Sequence, residues 1–366
     1  MFSFLYKQFP PPAYLTMPAF GLDISDETLK FIKLEPFKHG VRIAASGKKT
    51  IPKGIIESGE VKKPEELASF LREVCKPFGV RYVYLTLPEE KGYMNIVELP
   101  AMHNTEIRTA LEAQFSEYVP LPVEEAVFDF EVLHVKASEK GKKQLEVAMI
   151  SFPYALVESY YNAVEKAGLV PLAFDAEVQA LARAVIPRGE KDPFLIIDFG
   201  KTRTTFIIAH EGQVRFTSTV AVAGKDIDRI ISEKMAVSLA EAERIKKANF
   251  NIAGMSDKKI FHEILPVISA VRDELERYVS FWETHAPGLH GGAKYGPIKK
   301  IFLCGGDSNL LGLSEYLSHN IHIPVEHANV WTNVVSFEEY IPEITFHESL
   351  MYGSAVGAAL RSFDYD

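Results

Sequence analysis

Residues 198–209 read DFGKTRTTFIIA: an aspartate ends an apolar strand, a short turn carries a glycine two positions later, and a second apolar strand follows. The same arrangement occurs 175 positions earlier, where Asp23 and Ser25 precede the apolar run LKFIKL at residues 29–34. A third strand is predicted after each copy, at residues 41–44 and 213–217. The chain is therefore predicted to contain two related α/β halves, each opening with a β-hairpin whose tip carries an aspartate.

Helices and strands alternate in the remainder of each half. The spacing of apolar residues and the positions of prolines predict helices at residues 64–77, 176–186, 310–318 and 347–361. Short apolar runs predict strands at residues 80–87, 169–174, 298–303 and 322–325. This alternation is typical of mostly parallel sheets covered by helices, so the predicted fold class is α/β.

Two segments interrupt this plan. Residues 94–168 predict an α+β module with a helix at 105–118, strands at 127–135 and 144–152 joined by a charged turn at 138–143, and a final helix that ends at Gly168. Residues 224–296 are predicted to be helical. One of their helices opens with the capping box Ser238…Glu241, and another carries an apolar stripe at Ile264, Ile268, Val271, Leu275, Tyr278 and Trp282.

These segments give a set of predicted domain boundaries. The first lobe comprises residues 18–93 and 169–188, and the inserted α+β subdomain comprises residues 94–168. The second lobe comprises residues 189–223 and 297–352, with a helical subdomain at residues 224–296. Residues 1–17 form an N-terminal extension, and residues 353–366 form a connector helix that returns to the first lobe.

The composition excludes some classes of protein. The 366 residues include 40 Lys and Arg against 49 Asp and Glu, a formal charge of −9, which argues against binding nucleic acid mainly through electrostatics. Cys75 and Cys304 lie far apart in apolar segments, as expected of buried, reduced thiols in a cytosolic protein. No apolar run reaches the roughly 18 residues of a membrane span, and residues 1–17 lack the features of a signal peptide.

The paired hairpins predict a phosphate site. Backbone N–H groups at such a tip can bind phosphate oxygens, while an aspartate holds Mg²⁺ through water. In the first tip, Lys30 adds a positive charge that can reach β- or γ-phosphate oxygens. In the second, Gly200 permits close approach of the backbone, and Thr204 follows four residues later. One such hairpin is weak evidence, and the second copy strengthens it.

Two further motifs predict contacts to a nucleoside. Gly305 and Gly306 end a strand at the mouth of a helix, where backbone can lie against a flat ring; an ordinary glycine-rich turn is the alternative. Glu243 and Lys246 lie on one face of a helix, where they could hold ribose hydroxyls; a solvated ion pair between residues i and i+3 is the alternative.

The order of these motifs resembles the five nucleotide-site motifs of the actin, Hsp70 and sugar-kinase superfamily. The motifs are the Asp23 hairpin, Asp175-x-Glu177, Asp198-x-Gly200-x-x-x-Thr204, Gly305-Gly306 and the terminal helix Tyr352-Gly353-Ser354-Ala355-x-Gly357. Within that superfamily, residues 18–362 look most like the PilM family of type IV pilus assembly and, more distantly, like the division protein FtsA. The resemblance implies a duplicated, two-lobed, actin-like (ribonuclease H-like) fold with an inserted subdomain.

The resemblance also implies a ligand and a set of roles. ATP with Mg²⁺ is the implied cofactor, with Asp23 and Asp198 positioning the metal and Glu177 orienting an attacking water for hydrolysis that is expected to be slow. Phosphates would be held by Ser25, Lys30, Gly200 and Thr204, and the nucleoside by Glu243, Lys246, Gly305 and Gly306. Two residues depart from the family pattern: Ser25 stands where glycine is usual, and Asp307 where a small residue is common.

The implied partner is the short cytoplasmic tail of an inner-membrane PilN-like protein, bound near residues 94–168. The chain would then be cytoplasmic and peripheral at the inner membrane through its partner, with self-association also allowed. Three alternatives remain open at this point. They are a small-molecule kinase of the same superfamily, an FtsA-like filament-forming scaffold, and a pseudo-ATPase that has lost its ligand.

Overall fold

The computed structural model describes residues 19–37, 40–137, 143–249, 258–285, 295–334 and 337–363. The predicted extension over residues 1–17 and most of the predicted turn over residues 138–143 lie outside these ranges. The described strands are β1 Ala19–Ile24, β2 Thr28–Phe37, β3 Gly40–Thr50, β4 Ile56–Glu57, β5 Glu60–Val61, β6 Tyr82–Leu87, β7 Tyr93–Pro100, β8 Ala126–Ala137, β9 Lys143–Pro153, β10 Val170–Ala176, β11 Phe194–Phe199, β12 Thr204–His210, β13 Gln213–Val220, β14 Lys300–Cys304 and β15 Val325–His327.

The described helices follow the same chain order. They are α1 Pro64–Cys75, α2 Asn104–Tyr118, α3 Tyr154–Lys166, α4 Glu177–Val185, α5 Gly224–Met235, α6 Leu239–Asn249, α7 Lys258–His285, α8 Leu313–Ile321, α9 Phe346–Ser349 and α10 Gly353–Leu360. Among the helices in the described ranges, none combines the length and the apolar character needed to cross a membrane.

The internal repeat is present as two sheets with the same topology. Within the described ranges, the first has five strands in the order β10-β6-β1-β2-β3, and the second has five in the order β15-β14-β11-β12-β13. In each sheet the first three strands along the chain are antiparallel, and the other two run parallel to the first. Strands β1 and β11 are almost entirely buried, as expected of central strands covered by helices on both faces.

The predicted helical subdomain contributes to the core of the second sheet. The apolar stripe of α7 is buried against Leu195, Ile197 and Phe206 together with residues of α5 and α8. The backbone N–H of Glu241 donates a hydrogen bond to the Ser238 hydroxyl at 3.2 Å, which confirms the predicted N-terminal cap of α6.

The inserted module contains one more strand than predicted. Among the described residues, its sheet has the order β7-β9-β8 and packs on α2 through Val97, Leu99, Val147 and Met149. Strand β7 was not predicted because its apolar residues fall on both faces, which hides the alternation that identifies a half-buried strand. Gly168 follows α3 with φ +82°, as the predicted helix end requires.

Several predicted boundaries in the second half are wrong by a few residues. The helix predicted from residue 310 begins at Leu313, because Gly312 precedes it in a left-handed conformation with φ +83°. The helix predicted at 347–361 is two helices, α9 and α10, separated by a 3₁₀ turn at Leu350–Tyr352. At this break the Leu350 carbonyl accepts a hydrogen bond from the Gly305 N–H at 3.1 Å.

The chain forms two compact units. Unit 1 contains the described chain up to Ala184, Trp331–Glu343 and the residues from Tyr352 onward. Unit 2 contains Val185–Val330 and Ile344–Met351. The domain boundaries derived from the sequence stay a prediction.

In unit 1, α10 packs closely on β1 and α4. All eight residues of α10 are buried. A Cβ added at Gly357 would clash with the Ala180 backbone, and one added at Gly21 would clash with the backbone of Ala355 and Ala359. These contacts require glycine, because only a residue without a side chain lets the two backbones approach so closely.

Candidate functional site

In unit 1, Asp23 lies near the end of the central strand β1. Its carboxylate is buried; Lys30 Nζ lies 2.6 Å from Oδ2, and the Thr86 hydroxyl donates a hydrogen bond to Oδ1 at 3.3 Å. Asp23 and Lys30 are directly paired across β1 and β2, so the seven-residue spacing seen in the sequence is a cross-strand register. The structure therefore brings together two of the predicted site residues and adds Thr86, which no sequence pattern identified.

The tip of the first hairpin is a tight turn around Ser25. The Ser25 N–H donates to the Thr28 carbonyl at 2.9 Å, and the Ser25 hydroxyl accepts a hydrogen bond from the Thr28 N–H at 3.3 Å. Ser25 is not among the described residues with positive φ, so this turn has no conformational requirement for glycine. The serine in place of the usual glycine is therefore compatible with the tip.

Asp175 and Glu177 lie at the junction of β10 and α4. Asp175 is buried and pairs in register with Thr86. Its carboxylate accepts a hydrogen bond from Arg183 Nη1 at 2.6 Å, and the same Nη1 donates to the Gly357 carbonyl at 3.0 Å. Asp175 thus fixes α4 and α10, while Glu177 is the first residue of α4 and is partly exposed.

In unit 2, Asp198 repeats the position of Asp23. It lies near the end of β11, paired with Thr205 on one side and with Cys304 on the other. Gly305 follows with φ +95°, and a Cβ there would clash with Asp198 Oδ1 and with the Phe199 carbonyl. The register shows that Thr205, one residue beyond the predicted Thr204, is the counterpart of Lys30.

The tip of the second hairpin is held by the start of α5. The Gly200 carbonyl accepts a hydrogen bond from the Gly224 N–H at 3.0 Å, and the Lys201 carbonyl accepts one from the Lys225 N–H at 2.8 Å. The hydroxyl of Thr204 is buried and donates to the Val222 carbonyl at 2.6 Å. The Thr204 hydroxyl therefore anchors the second tip to the segment that precedes α5, since its proton is used in this bond.

Lys246 does not form a solvated ion pair with Glu243, which was the alternative to the predicted ribose contact. Its side chain is 3% exposed; the ammonium lies 2.8 Å from Asp228 Oδ1 and 2.6 Å from Asp307 Oδ1, and it donates to the Gly224 carbonyl at 3.1 Å. The pKa of Asp228 is raised, because the effect of burial outweighs the opposing effect of the Lys246 ammonium. The Asp307 carboxylate packs directly on Gly224, where a Cβ would not fit.

Glu243 pairs instead with Lys201 of the second tip and with Lys247. Lys201 Nζ lies 2.7 Å from Glu243 Oε2. Burial works to raise the pKa of Glu243, but the hydrogen bonds from Lys201 and Lys247 outweigh it and lower that pKa to about 2. Lys201 was not among the predicted site residues, although its position within the tip could have indicated it. Asp228 could not be predicted from the sequence, because an aspartate in a helix is usually solvated.

The two five-stranded sheets, each with an aspartate at the end of its first strand, define an actin-like fold. The chain shares this fold with MreB5 of Spiroplasma citri bound to ADP, at 14% identity and a TM-score of 0.55, with 94% of this chain and 96% of that chain covered. EutJ of Carboxydothermus hydrogenoformans gives 16% identity and a TM-score of 0.53, with coverage of 96% and 90%. The predicted duplicated actin-like fold with an inserted α+β subdomain is confirmed.

A PilM–PilN type IV pilus biogenesis complex gives a higher TM-score, 0.79, at 24% identity, with 96% of this chain and 100% of that chain covered. The sequence profile of the family described as type IV pilus assembly protein PilM matches residues 21–363. The chain belongs to this family.

Curated relatives are cell division proteins named FtsA. The protein of Enterococcus hirae is 27% identical over 217 residues, which cover 51% of this chain and 47% of that protein. The protein of Bacillus subtilis is 23% identical over 182 residues, which cover 46% of this chain and 41% of that protein. The matched region therefore spans less than half the length of these two relatives.

Proposed function

We propose that the chain binds ATP with Mg²⁺ and that the bound nucleotide controls its attachment to a pilus protein. The observation that carries this proposal is the duplicated hairpin, which places Asp23 and Asp198 at equivalent ends of β1 and β11. The residues fit the ligand: carboxylate oxygens suit Mg²⁺, and Gly305 lies directly beside Asp198, where a Cβ would clash with Asp198 Oδ1.

We propose a role for each predicted site residue. Asp23 and Asp198 would hold Mg²⁺, and Glu177, at the start of α4, would orient an attacking water. The remaining residues hold the nucleotide: Ser25, Lys30, Gly200 and Thr204 at the phosphates, and Glu243, Gly305 and Gly306 at the nucleoside. Lys246 supports the site indirectly. Its buried ammonium pairs with Asp307, which follows Gly305 and Gly306 in the same turn.

We propose the cytoplasmic tail of an inner-membrane PilN-like protein as the partner, bound near the inserted subdomain of residues 94–168. Family membership and the fold shared with a PilM–PilN complex support this choice. The chain would then lie on the cytoplasmic side of the inner membrane, held there by the tail. Type IV pilus assembly is the proposed setting.

The test is calorimetric titration of the purified chain with ATP, with and without Mg²⁺. We expect Mg²⁺-dependent binding that Asp198→Ala weakens by about tenfold or more, because a lost charge-assisted contact costs roughly 1.5–3 kcal/mol. Asp192→Ala is the matched control, since Asp192 is exposed and pairs with Lys299 away from the tip. Absence of binding to the folded, nucleotide-free wild type would overturn the proposal.

A second candidate is an FtsA-like scaffold that forms filaments. The similarity to two FtsA proteins over about half of this chain favours it. No feature of the residues that the structure describes favours a small-molecule kinase.

A further inference from the structure

The turn between β4 and β5 is bound to the tip of the first hairpin. Asp26 of that tip accepts two hydrogen bonds, from the Ser58 N–H at 3.1 Å and from the Gly59 N–H at 2.8 Å. Ser58 and Gly59 both have positive φ, 49° and 75°. Successive N–H groups in such a turn form a concave pair that binds an anion, and here the anion is the Asp26 carboxylate.

The same turn is also bound to the helix that leaves the inserted subdomain. The Tyr160 hydroxyl donates a hydrogen bond to the Gly59 carbonyl at 3.0 Å. Tyr160 is completely buried on α3, the helix that directly follows β9 of the inserted sheet. Gly59 therefore joins the tip through its N–H and α3 through its carbonyl.

A third contact reaches the segment that enters the inserted subdomain. Lys91 Nζ lies 2.6 Å from Glu60 Oε1, and β7 begins two residues after Lys91. Hydrogen bonds from Lys62 and Lys91 lower the pKa of Glu60 to about 2, so Glu60 stays ionised beside Lys91. Pro88 and Glu90 pack against Gly59 on the side where a side chain would point. A Cβ added at Gly59 would lie 2.9 Å from Pro88 Cγ and 2.9 Å from Glu90 Oε1.

We infer that the β4–β5 hairpin, residues 56–61, transmits the nucleotide state of the first tip to the inserted subdomain, with Asp26 and Tyr160 as positioning residues at its two ends. This inference rests on the proposed function. A shift of the tip pulls Gly59 through Asp26. Because Pro88 and Glu90 block one side of Gly59, the shift passes to α3 through Tyr160. Coupling between two binding sites carried by such contacts typically changes an affinity about 5- to 150-fold.

The test measures this coupling in the full chain. A fluorescent synthetic peptide with the sequence of the PilN cytoplasmic tail from the same organism is titrated by anisotropy, with and without Mg-ATP. The ratio of the two Kd values is the coupling factor, which we expect to be about fivefold or more in the wild type. Tyr160→Phe removes one hydroxyl and should bring the factor to within about twofold of one, while ATP affinity, measured by calorimetry, stays unchanged.

Tyr161→Phe is the matched control, because Tyr161 is exposed and its hydroxyl donates to Glu165 of the same helix at 3.4 Å. It should keep the wild-type factor. Asp26→Asn tests the other end of the hairpin and should also lower the factor. A wild-type factor retained in both Tyr160→Phe and Asp26→Asn would overturn the inference while the proposed function stands. A wild type whose peptide affinity does not respond to ATP would overturn the proposed function itself, and the inference with it.

Discussion

Lys246 is the residue on which the core behind the Gly305–Gly306 turn depends. Its ammonium lies between Asp228 and Asp307, so one cation compensates two buried carboxylates. Removing one partner from a buried ion pair leaves an uncompensated charge, which is more costly than the pair itself is stabilising.

We expect Lys246→Met to lower the free energy of unfolding by about 3–5 kcal/mol at neutral pH. Denaturant unfolding followed by circular dichroism measures this change. Lys247→Met is the matched control on the same helix: Lys247 pairs with Glu243 at the surface, where such pairs contribute about 0–1 kcal/mol. Equal effects of the two substitutions would contradict the buried cluster.

The pH dependence of Lys246→Met follows from the same contacts. Burial already raises the pKa of Asp228, and loss of Lys246 removes the group that lowers it. A carboxyl group with a higher pKa in the folded than in the unfolded chain stabilises the fold at low pH and loses that contribution as pH rises. The destabilisation should therefore shrink when unfolding is measured at pH 4 instead of pH 7.

At the residue scale, sequence patterns predicted which residues share an element but did not always predict what those residues contact. Asp23 and Lys30 were predicted to act at one tip and lie 2.6 Å apart. Glu243 and Lys246 share a helix, but Lys246 points into the core and Glu243 to the surface. Helical spacing alone does not separate these two cases, because Asp228 and Asp307 are remote in sequence and become partners of Lys246 only in the folded chain.

Among the elements, α10 depends on its small residues for its close packing. Gly357 meets the backbone of Ala180 on α4 so closely that no Cβ fits. We expect Gly357→Ala to lower the free energy of unfolding by about 1–3 kcal/mol, because overpacking outweighs the roughly 1 kcal/mol that alanine gains over glycine within a helix. Thermal unfolding measures the change.

Gly306→Ala is the matched control for stability. A Cβ there would lie 3.9 Å from Met351 Cβ, an ordinary van der Waals distance. We expect its effect on unfolding to stay below about 0.5 kcal/mol in either direction. A Gly357→Ala variant as stable as the wild type would show that α10 can move away from α4.

Some of the secondary-structure elements can be predicted from local sequence patterns, and others cannot. The hairpins were predicted because β1 and β11 are buried on both faces and end at an aspartate, a signal confined to a few consecutive residues. The break between α9 and α10 was not predicted; at this break the Leu350 carbonyl accepts a hydrogen bond from Gly305, which is remote in sequence. No local pattern around Leu350 reveals an acceptor that is used by a distant N–H.

Assembly is a property of the whole molecule, and it separates the two candidate functions. An FtsA-like scaffold should sediment in the presence of ATP and Mg²⁺ as its concentration rises, and Asp198→Ala should not. A nucleotide-dependent adaptor should remain in the supernatant and should bind the tail peptide as a monomer. Analytical ultracentrifugation across a hundredfold range of protein concentration distinguishes these outcomes.

Unit 1 takes its strands from one end of the described chain and α10 from the other. During translation, β1 leaves the ribosome early, but the helix that covers Gly21 emerges only after unit 2 has been synthesised. The nascent chain must therefore hold an incomplete unit 1, with apolar strands uncovered, for most of its synthesis. Cotranslational chaperones should bind this intermediate, and release from them should coincide with the docking of α10.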